Sequence, residues 1–326
     1  MYDQLFFTII IVCLNPGDKL KKTLESVLMQ TFTNYEIIIK DGMSKDGALD
    51  AIMNQSRHCI LCEAQFLDPQ SHPFILNQSR HCILCEAQFL DPQSPLSILN
   101  QNRHCGLDPQ SHPFIRLIQK PDTGIYDAMN QAIAEASGQY IYFLNCGDHL
   151  WNDQVLANIH EKITDNIDEA MIFYGNIYEE LTGQEVYANP RIDRFACYRY
   201  LPCHQACFYH KNLLKERSFD IEYKVRADYE YFIWAVLSKG VKTSFIPIII
   251  ARYEGAGYSE AKKNQKFSKS EHQKITGKYM TKAEILKYRL ILLITLAPLR
   301  TALSRNNQLA AFYNQIKKTI YKRKST

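Results

Sequence analysis

The chain has 326 residues, of which 46% are hydrophobic, and a formal net charge of +4 at pH 7. This length accommodates one large α/β domain with a tail, or two small domains, and the composition is ordinary for a globular protein. The charge is too small to indicate a nucleic-acid partner, no apolar run is long enough to cross a bilayer, and residues 6–14 lack the flanks of a signal peptide.

The cysteines favour a cytoplasmic location. Five of the ten lie in a repeated segment, and Cys13, Cys146 and Cys207 fall in predicted strands or at strand ends. Cysteines placed in this way are typical of reduced thiols in a cytoplasmic protein, not of a secreted disulfide framework.

The N-terminal elements predict a parallel sheet. Residues 6–13 (FFTIIIVC) are a continuous apolar run, typical of a buried strand, and residues 15–18 (NPGD) break it. A helix ending near Gln30 is predicted next, with one apolar face formed by Leu20, Leu24, Val27 and Leu28. A second buried strand is predicted at 35–40, and strand, helix and strand at this spacing indicate a right-handed parallel crossover.

A repeat interrupts the chain after the second strand. Residues 53–75 (MNQSRHCILCEAQFLDPQSHPFI) recur almost unchanged at 76–98, and a shortened copy occupies 99–115. Near-identity between copies indicates recent duplication of DNA, not a solenoid whose repeats have diverged around a core. We therefore predict an insertion over 53–114 at a surface position, where added length costs little closure entropy, and a third strand at 115–119.

The repeat supports two interpretations. Cys59-x-x-Cys62 and Cys82-x-x-Cys85 have the spacing of a four-cysteine zinc site, which would make the chain a zinc-binding interaction protein. However, duplicating one Cys-x-x-Cys pair produces the second automatically, and the Asp-Pro-Gln-Ser and His-Pro elements favour turns and extended chain. A poorly ordered surface loop is the favoured prediction.

Residues 121–148 (PDTGIYDAMNQAIAEASGQYIYFLNCGD) contain the most informative pattern in the chain. Apolar residues at helical spacing predict a helix over 125–136, for which Gly138 is placed as a left-handed cap. The run 140–144 predicts a strand buried on both faces, and 145–148 (NCGD) then leaves the sheet at the strand's carboxyl end, where open α/β sheets bind ligands. Asp148 is therefore placed to hold a divalent cation against a phosphate.

The elements after Asp148 are shorter. A helix is expected to end near Ile163, and strands are expected at 171–174 and 245–251. The segment 252–259 contains two glycines and predicts a mobile loop able to close on a bound ligand.

Residues 261–326 predict a helical, basic extension. An apolar helical run occupies 285–299, and only basic charges follow Glu284. Apolar surface beside a basic tail fits peripheral contact with the anionic inner face of a membrane. A helix packed on the main domain, with a solvated end, fits the same pattern.

Several motifs together resemble the family 2 glycosyltransferases, inverting enzymes of the GT-A fold that use nucleotide-diphosphate sugars. They are DGMSKDG at 41–47, GIYDAMN at 124–130, NCGD at 145–148, HQACFY at 204–209, and FD at 219–220 followed by DYEYF at 228–232. Many members have Asp-x-Asp where this chain has Asn145 and Asp148, but the subgroup with a GIYDAMN segment commonly has this Asn-x-Gly-Asp version. The resemblance implies Mn²⁺ or Mg²⁺ at Asp148.

The resemblance also implies a donor pocket. It assigns Asp41 to the nucleotide base, places Val12 and Asn15 in the same pocket, and lays the loop that contains Asp122 and Asp127 along the donor. Taken alone, Asp41 is typical of a turn residue, and Asp127 equally fits a carboxylate that complements the helix dipole from the first turn. Asp46 is interpreted as a cap.

The acceptor side is implied in the same way. An inverting transfer is a single in-line displacement, so one carboxylate must take the proton from the acceptor hydroxyl. The resemblance assigns that role to Asp228, which taken alone is also typical of an N-terminal helix carboxylate. Glu230 lies further into the helix and points elsewhere. The resemblance also implies a strand over 204–209 and a helix that begins near Asp228. His204 is expected near the acceptor cleft or as a structural residue on that strand.

The resemblance covers about residues 5–52 and 115–260. We therefore predict a GT-A domain over 1–260, a mostly parallel central sheet flanked by helices, with the helical extension at 261–326. The predicted function is transfer of a sugar from a nucleotide-diphosphate donor to a hydroxyl of a glycan or lipid-linked acceptor, in bacterial cell-surface polysaccharide or lipopolysaccharide biosynthesis. The alternatives are a GT-A protein that the insertion has disabled and the zinc-binding protein described above.

Overall fold

A computed structural model of the protein describes residues 5–49, 97–99, 114–165, 171–255 and 262–295. The chain divides into two compact units, residues 1–157 and 158–326. The Cys-x-x-Cys pairs, residues 256–259 of the predicted glycine loop and the basic tail beyond 295 lie outside the described residues.

The first unit contains a mostly parallel sheet. Its strands are β1 (Phe7–Cys13), β2 (Tyr35–Asp41), β3 (Ser97–Leu99), β4 (Phe114–Gln119) and β5 (Tyr140–Phe143), and a short β6 (His149–Leu150) follows. They lie in the order β3-β4-β2-β1-β5, in which β3 pairs antiparallel with β4 and the other pairs are parallel. Helix α1 (Lys19–Leu28) connects β1 to β2, and α2 (Ile125–Glu135) connects β4 to β5. The predicted parallel crossover is confirmed.

The core of this unit forms where the continuous apolar runs predicted it. Every residue of β1, β2 and β5 is buried, as expected for strands covered on both faces. Helix α1 buries Leu20, Leu24 and Val27 against the sheet, together with Thr23, so three of the four predicted apolar positions face the core.

The prediction of a left-handed helix cap at Gly138 is wrong. Helix α2 ends at Glu135, and its capping residue Ala136 is extended, with φ −70° and ψ 132°. Gly138 instead passes very close to β1: a Cβ there would lie 2.5 Å from the backbone nitrogen of Thr8, and the Gly138 N–H donates to the Thr8 hydroxyl at 2.8 Å. Glycine is required by this close approach of two backbones, not by its φ angle.

One piece of the predicted insertion is part of the sheet. Ser97–Leu99 form β3, with Ser97 opposite Leu117 and Leu99 opposite Ile115 on β4. The rest of 53–113 lies outside the described residues, and a poorly ordered loop there stays a prediction.

The second unit has its own strands and most of the helices. Its elements are α3 (Val155–Thr164, which begins in the first unit), β7 (Ile172–Glu179), β8 (Gln184–Val186), α4 (Arg194–Arg199), β9 (Cys207–His210), α5 (Lys211–Glu216), α6 (Ala227–Ile233), β10 (Thr243–Tyr253), α7 (Lys262–Tyr279) and α8 (Lys282–Ile294). Strand β7 pairs in parallel with β10 and antiparallel with β8 and β9. A π-helical turn, Trp234–Ser238, extends α6.

The strand expected at 204–209 is correct only in its second half. His204–Ala206 form a 3₁₀ turn, and β9 begins after it at Cys207, so His204 does not lie on a strand. The strands predicted at 171–174 and 245–251 exist but are longer, as β7 and β10.

The predicted helical extension begins within the second unit. Helices α7 and α8 both belong to it, and α8 starts with a capping box in which Thr281 and Glu284 satisfy each other's backbone N–H groups. That box explains why α8 begins before the apolar run. Among the described helices, none combines the length and apolar character needed to span a membrane.

Candidate functional site

Four parallel strands of the first unit end at one edge of its sheet, and each is followed by a loop that carries predicted site residues. These loops follow β1, β2, β4 and β5. Ligands of open α/β sheets bind at the carboxyl ends of strands, so this edge is the candidate donor site.

Asp41, the last residue of β2, is buried and is already engaged by its neighbours. Ser44 donates to its carboxylate from the backbone N–H at 2.9 Å and from the hydroxyl, and Gln119 Nε2 donates at 3.3 Å. With 0% of Asp41 exposed, no carboxylate oxygen is open to solvent. The geometry therefore supports the loop-ordering interpretation, and direct contact with a nucleotide base stays a prediction.

The loops after β1 and β2 form one hydrogen-bonded structure. The Asn15 N–H donates to the Ser44 hydroxyl at 2.7 Å, and Asn15 Oδ1 accepts from the Lys45 N–H at 2.9 Å. Asp46 accepts from the N–H groups of Gly17 at 2.7 Å and Ala48 at 3.2 Å, which confirms its predicted capping role.

Two residues of these loops have uncommon backbone angles. Asn15 and Met43 lie in the left-handed region, with φ of 49° and 69°. Such conformations cost free energy in residues other than glycine and concentrate at functional sites. Val12 lies beside them, buried at the end of β1, together with Cys13. Burial and the Asp41 carboxylate raise the pKa of Cys13, which keeps it a thiol that donates to Asp41 at 3.7 Å.

A buried lysine organises the loop after β4. Lys40 Nζ donates to Asp122 Oδ2 at 2.8 Å and to the backbone carbonyls of Lys120 and Asp41 at 2.7 and 3.0 Å. Three acceptors satisfy all three donors of the ammonium group, which explains how a lysine that is 0% exposed is tolerated. Asp122 Oδ1 also accepts from the Gly124 N–H at 3.2 Å, so both its oxygens serve the loop.

Asp127 lies in the first turn of α2, as the helix-dipole interpretation of its sequence position predicts. Its Oδ2 accepts from the Thr123 N–H at 2.8 Å and from the Thr123 hydroxyl at 3.1 Å. The backbone hydrogen bond from Thr123 is the main reason that the pKa of Asp127 lies below its usual value. This carboxylate therefore anchors the turn before α2.

The loop after β5 carries two oxygen-bearing side chains, Asn145 and Asp148. Gly147 has φ 105°, which only glycine adopts readily, and its N–H donates to the Thr23 hydroxyl on α1 at 2.9 Å. The Asp148 N–H donates to the Asn145 carbonyl at 3.0 Å, and Asp148 is only 4% exposed. Asn145 Oδ1 is buried, and no residue of the described ranges donates a hydrogen bond to it.

These two side chains fit a hard divalent cation. Carboxylate and amide oxygens are the ligands that Mg²⁺ and Mn²⁺ prefer, and an orphaned amide oxygen has its lone pairs available for a cation. The described residues contain no group of three or more His, Cys, Asp or Glu side chains arranged to hold a metal. Other oxygens, such as phosphate and water, would have to complete the coordination, which is usual for Mg²⁺ beside a nucleotide.

The second unit places Asp228 in the first turn of α6, half-buried, above an aromatic cluster. His204 lies 6.0 Å from Tyr209 and 5.9 Å from Phe219 between ring centroids, and Tyr231 lies 5.1 Å from Phe219. Residues from the motifs at 204–209, 219–220 and 228–232 therefore meet in one cluster.

His204 is a buried imidazole in the field of Asp228. Burial lowers the pKa of His204, and the Asp228 carboxylate opposes this effect. Its burial supports the structural interpretation of this histidine, and a place near the acceptor cleft stays a prediction.

Glu230 is an anchor within the second unit. It accepts from Arg217 at 2.8 Å, from Lys278 at 2.8 Å and from the Tyr279 hydroxyl. Burial opposes ionisation of Glu230, but these hydrogen bonds together lower its pKa. Its carboxylate is thus held as a structural anion, as expected from its different direction on the helix.

Residues 8–61 match the family model described as Glycosyl transferase family 2. The PGL/p-HBAD biosynthesis glycosyltransferase of Mycobacterium tuberculosis is 24% identical over 254 residues, which cover 77% of each chain. An uncharacterized glycosyltransferase of the same species is 30% identical over 122 residues, which cover 36% of this chain and 46% of that protein. The likeness to glycosyltransferases thus extends well beyond the matched segment.

Two kinds of solved structure have the same fold. The mannosyltransferase PcManGT from Pyrobaculum calidifontis, in complex with GDP-Man and Mn²⁺, superposes with a TM-score of 0.55 at 13% identity and covers 98% of this chain and 81% of that one. Staphylococcus aureus TarS 1–349 in complex with UDP-GlcNAc has a TM-score of 0.51 at 15% identity, and the match covers 77% of this chain but only 59% of TarS. The predicted GT-A fold is confirmed.

Several residues of the candidate site were missed from the sequence. The sequence places Lys40 in a buried strand and indicates no separate role for Ser44, Gln119 or Asn145. A lysine at the end of a buried strand, directly before an aspartate, was the available signal for Lys40.

Proposed function

We propose that the protein is an inverting glycosyltransferase. It moves a sugar from a nucleotide-diphosphate donor to a hydroxyl of a glycan or lipid-linked acceptor, in bacterial cell-surface polysaccharide or lipopolysaccharide biosynthesis. The observation that carries the proposal is the set of hydrogen-bonded loops at the carboxyl ends of β1, β2 and β4, beside the Asn145–Asp148 loop after β5. The nucleotide-sugar complexes of the structural neighbours and the glycosyltransferase relatives support it.

The donor is proposed to bind across these loops. Val12 and Asn15 line the base pocket, and Asp41 shapes it, directly or through Ser44. Asp122 and Asp127 hold the loop that runs along the donor, because each is bonded to main-chain donors of that loop. Preorganised loops of this kind reduce the ordering cost that binding would otherwise incur.

Asn145 and Asp148 would hold Mn²⁺ or Mg²⁺. When bound, the cation supplies positive charge that offsets the charge accumulating on the leaving diphosphate. The Gly147 backbone and its bond to Thr23 hold these oxygen ligands in place.

Asp228 is proposed to be the general base. The acceptor oxygen forms a bond to the anomeric carbon as the bond from that carbon to the diphosphate oxygen breaks, and the bonding electrons leave with the diphosphate. Asp228 takes the proton that the acceptor hydroxyl loses. One displacement inverts the configuration of the anomeric carbon.

A thermal-shift panel tests the proposal. Full-length protein is heated with UDP-, GDP- or dTDP-sugars, each with Mn²⁺ and with chelator. A ligand at about 100 times its Kd stabilises the folded state by about 2.7 kcal/mol, so one metal-dependent donor should raise the unfolding temperature clearly. If well-folded protein shows no shift with any donor, the proposal fails and the protein disabled by its insertion becomes the favoured interpretation.

We also propose that α8 rests on the inner face of the membrane. Tyr288 packs inward on Phe195 and Tyr198, with ring centroids 5.2 and 5.3 Å apart. The opposite face of α8 is apolar and exposed, and consists of Leu286, Leu290, Leu293 and Ile294. Exposed Lys287 and Arg289 lie along its two borders, and the sequence beyond it carries no acidic residue. Apolar contact flanked by cations suits an anionic lipid surface.

Vesicle sedimentation tests this surface. We expect the full chain to sediment with phosphatidylglycerol-containing vesicles and much less with phosphatidylcholine vesicles. The double variant Leu290→Ser/Leu293→Ser should lose this binding. Equal binding by the variant, or no preference for anionic lipid, would contradict the assignment.

A further inference from the structure

We propose that Glu271, on the C-terminal helix α7, is a positioning residue for Asp228. The inference rests on the proposed function of Asp228 as the base. It makes α7 a component of the acceptor side of the enzyme, whereas the sequence alone suggested an appended extension.

The Glu271 carboxylate binds the irregular segment of backbone that leads into α6. Glu271 accepts from three consecutive backbone N–H groups: Lys224 at 2.7 Å, Val225 at 3.1 Å and Arg226 at 2.9 Å. Hydrogen bonds from N–H groups to a carboxylate are stronger than those between neutral groups. One side chain therefore fixes the path of the three residues that precede the helix.

Helix α6 depends on this external contact to define its start. Its N-cap residue is Arg226, whose own side chain makes no capping hydrogen bond to the helix. Arginine is a poor N-cap residue, because it lacks the short acceptor side chain that binds the first N–H groups of a helix. Arg226 is held instead by α7, through its N–H to Glu271 and through its Nε to the Ser268 carbonyl and hydroxyl at 2.8 and 2.9 Å.

Helix α7 also holds the residues on the other side of Asp228. The Tyr229 ring stacks on His272 with centroids 5.4 Å apart, and Glu230 accepts from Lys278 and Tyr279. The α7 residues that make these contacts share one helix face with the buried Ile275: Ser268, Glu271, His272, Lys278 and Tyr279.

These contacts fix the backbone on both sides of Asp228, and none of them involves its carboxylate. A general base must sit within hydrogen-bond reach of the proton it removes, and a misplacement of about 1 Å can cost about 100-fold in rate. Glu271 binds the backbone of the three residues directly before the helix, so on this proposal it determines where the first turn, and with it Asp228, begins.

Three variants of the full-length protein test the proposal. Glu271→Gln removes the charge and presents an NH₂ group to N–H donors. Glu271→Asp keeps the charge but is one methylene shorter. Glu222→Gln is the matched control, because Glu222 joins the same segment to the same helix through an exposed ion pair with Lys274 at 3.3 Å.

Transfer kinetics and amide hydrogen exchange are measured together, with the donor that the thermal-shift panel selects. We expect both Glu271 variants to lower kcat by about tenfold or more, with the donor KM unchanged, and to speed exchange of the amides of 224–226. The control should match the wild type in both measurements. Because Glu271→Asp retains the charge, its loss of rate would identify placement, not charge, as the cause.

The outcomes separate this inference from the proposed function. If the wild type binds no donor and transfers no sugar, the proposed function fails. If the wild type is active and both Glu271 variants keep its kcat, the inference is wrong even where exchange at 224–226 rises. A fall in kcat equal to that of the Glu222→Gln control, or one accompanied by an equal rise in donor KM, would indicate general destabilisation and would also overturn it.

Discussion

The buried pair of Lys40 and Asp122 allows a quantitative test of the donor-side architecture. Lys40→Met removes an ammonium group that is 0% exposed and leaves Asp122, which is 12% exposed, without its cation. The carbonyls of Asp41 and Lys120 lose the same donor. Removing one partner of a buried ion pair typically destabilises a protein by 3–5 kcal/mol, because the remaining charge stays buried and uncompensated.

The expected loss is at the lower end of that range. Asp122 lies close enough to the surface to gain water when Lys40 is gone, and the methionine side chain recovers part of the apolar packing. We therefore expect the free energy of unfolding to fall by about 3 kcal/mol. The double variant Lys40→Met/Asp122→Asn should cost less than the sum of the two single variants, by about 1–3 kcal/mol, since it removes both charges together.

Denaturant unfolding followed by tryptophan fluorescence measures these values. The chain has two tryptophans, Trp151 in the first unit and Trp234 in the second, so a Trp234→Phe background confines the signal to the first unit. Glu135→Gln is the control, because Glu135 pairs with Arg116 at 3.5 Å on a more exposed part of the same unit and should cost less than about 1 kcal/mol. A loss below about 1 kcal/mol for Lys40→Met, or strict additivity in the double variant, would refute the argument.

Three other predictions concern charged and polar groups. Asp228→Asn should abolish transfer while leaving donor binding nearly intact in calorimetry, and loss of donor binding would show that its role is misassigned. Asp148→Ala should remove the Mn²⁺ dependence of donor binding, and Asn145→Ala should weaken it, whereas unchanged metal dependence in both would place the ligands elsewhere. Because hydrogen bonds depress the pKa of Glu230 despite its burial, it contributes stability that is present above the ordinary glutamate value of 4.5 and lost as the pH falls below it. Acid unfolding of Glu230→Gln should lack that part of the pH dependence, and an identical acid transition would contradict the assignment.

Much of the first unit could be predicted because its signals are local. Continuous apolar runs marked β1, β2 and β5, and helical spacing marked α1 and α2. The same local signals placed the Asn145–Asp148 loop at the end of β5, since the strand and its end were both visible in the sequence. The motif resemblance then identified the fold, which periodicity alone does not distinguish from other parallel α/β sheets.

The missed features depend on contacts between distant parts of the chain. Gly138 is required by the approach of β1, 130 residues away in sequence at Thr8. Lys40 is buried because acceptors from the loop at 120–122 surround it. Helix α7 has a largely polar sequence (KKNQKFSKSEHQKITGKY) without an apolar stripe, and most contacts of its buried face are ion pairs and hydrogen bonds, which hydrophobic periodicity does not indicate.

Motif membership alone does not identify the chemical role of an aspartate. Asp41, Asp46, Asp122 and Asp127 all lie in or beside the resembling segments, yet each carboxylate accepts hydrogen bonds that order its own loop. A carboxylate with such bonds loses loop order when it is replaced, so its substitution lowers donor binding without revealing a chemical step. The loop that carries Asp148 and the helix that carries Asp228 are also held by other residues: the Gly147 N–H donates to Thr23, and the Arg226 N–H donates to Glu271. A replaced side chain therefore tests a chemical role only when the loop or helix that carries it keeps its support, and the Asp148→Ala and Asp228→Asn variants leave the bonds to Thr23 and Glu271 in place.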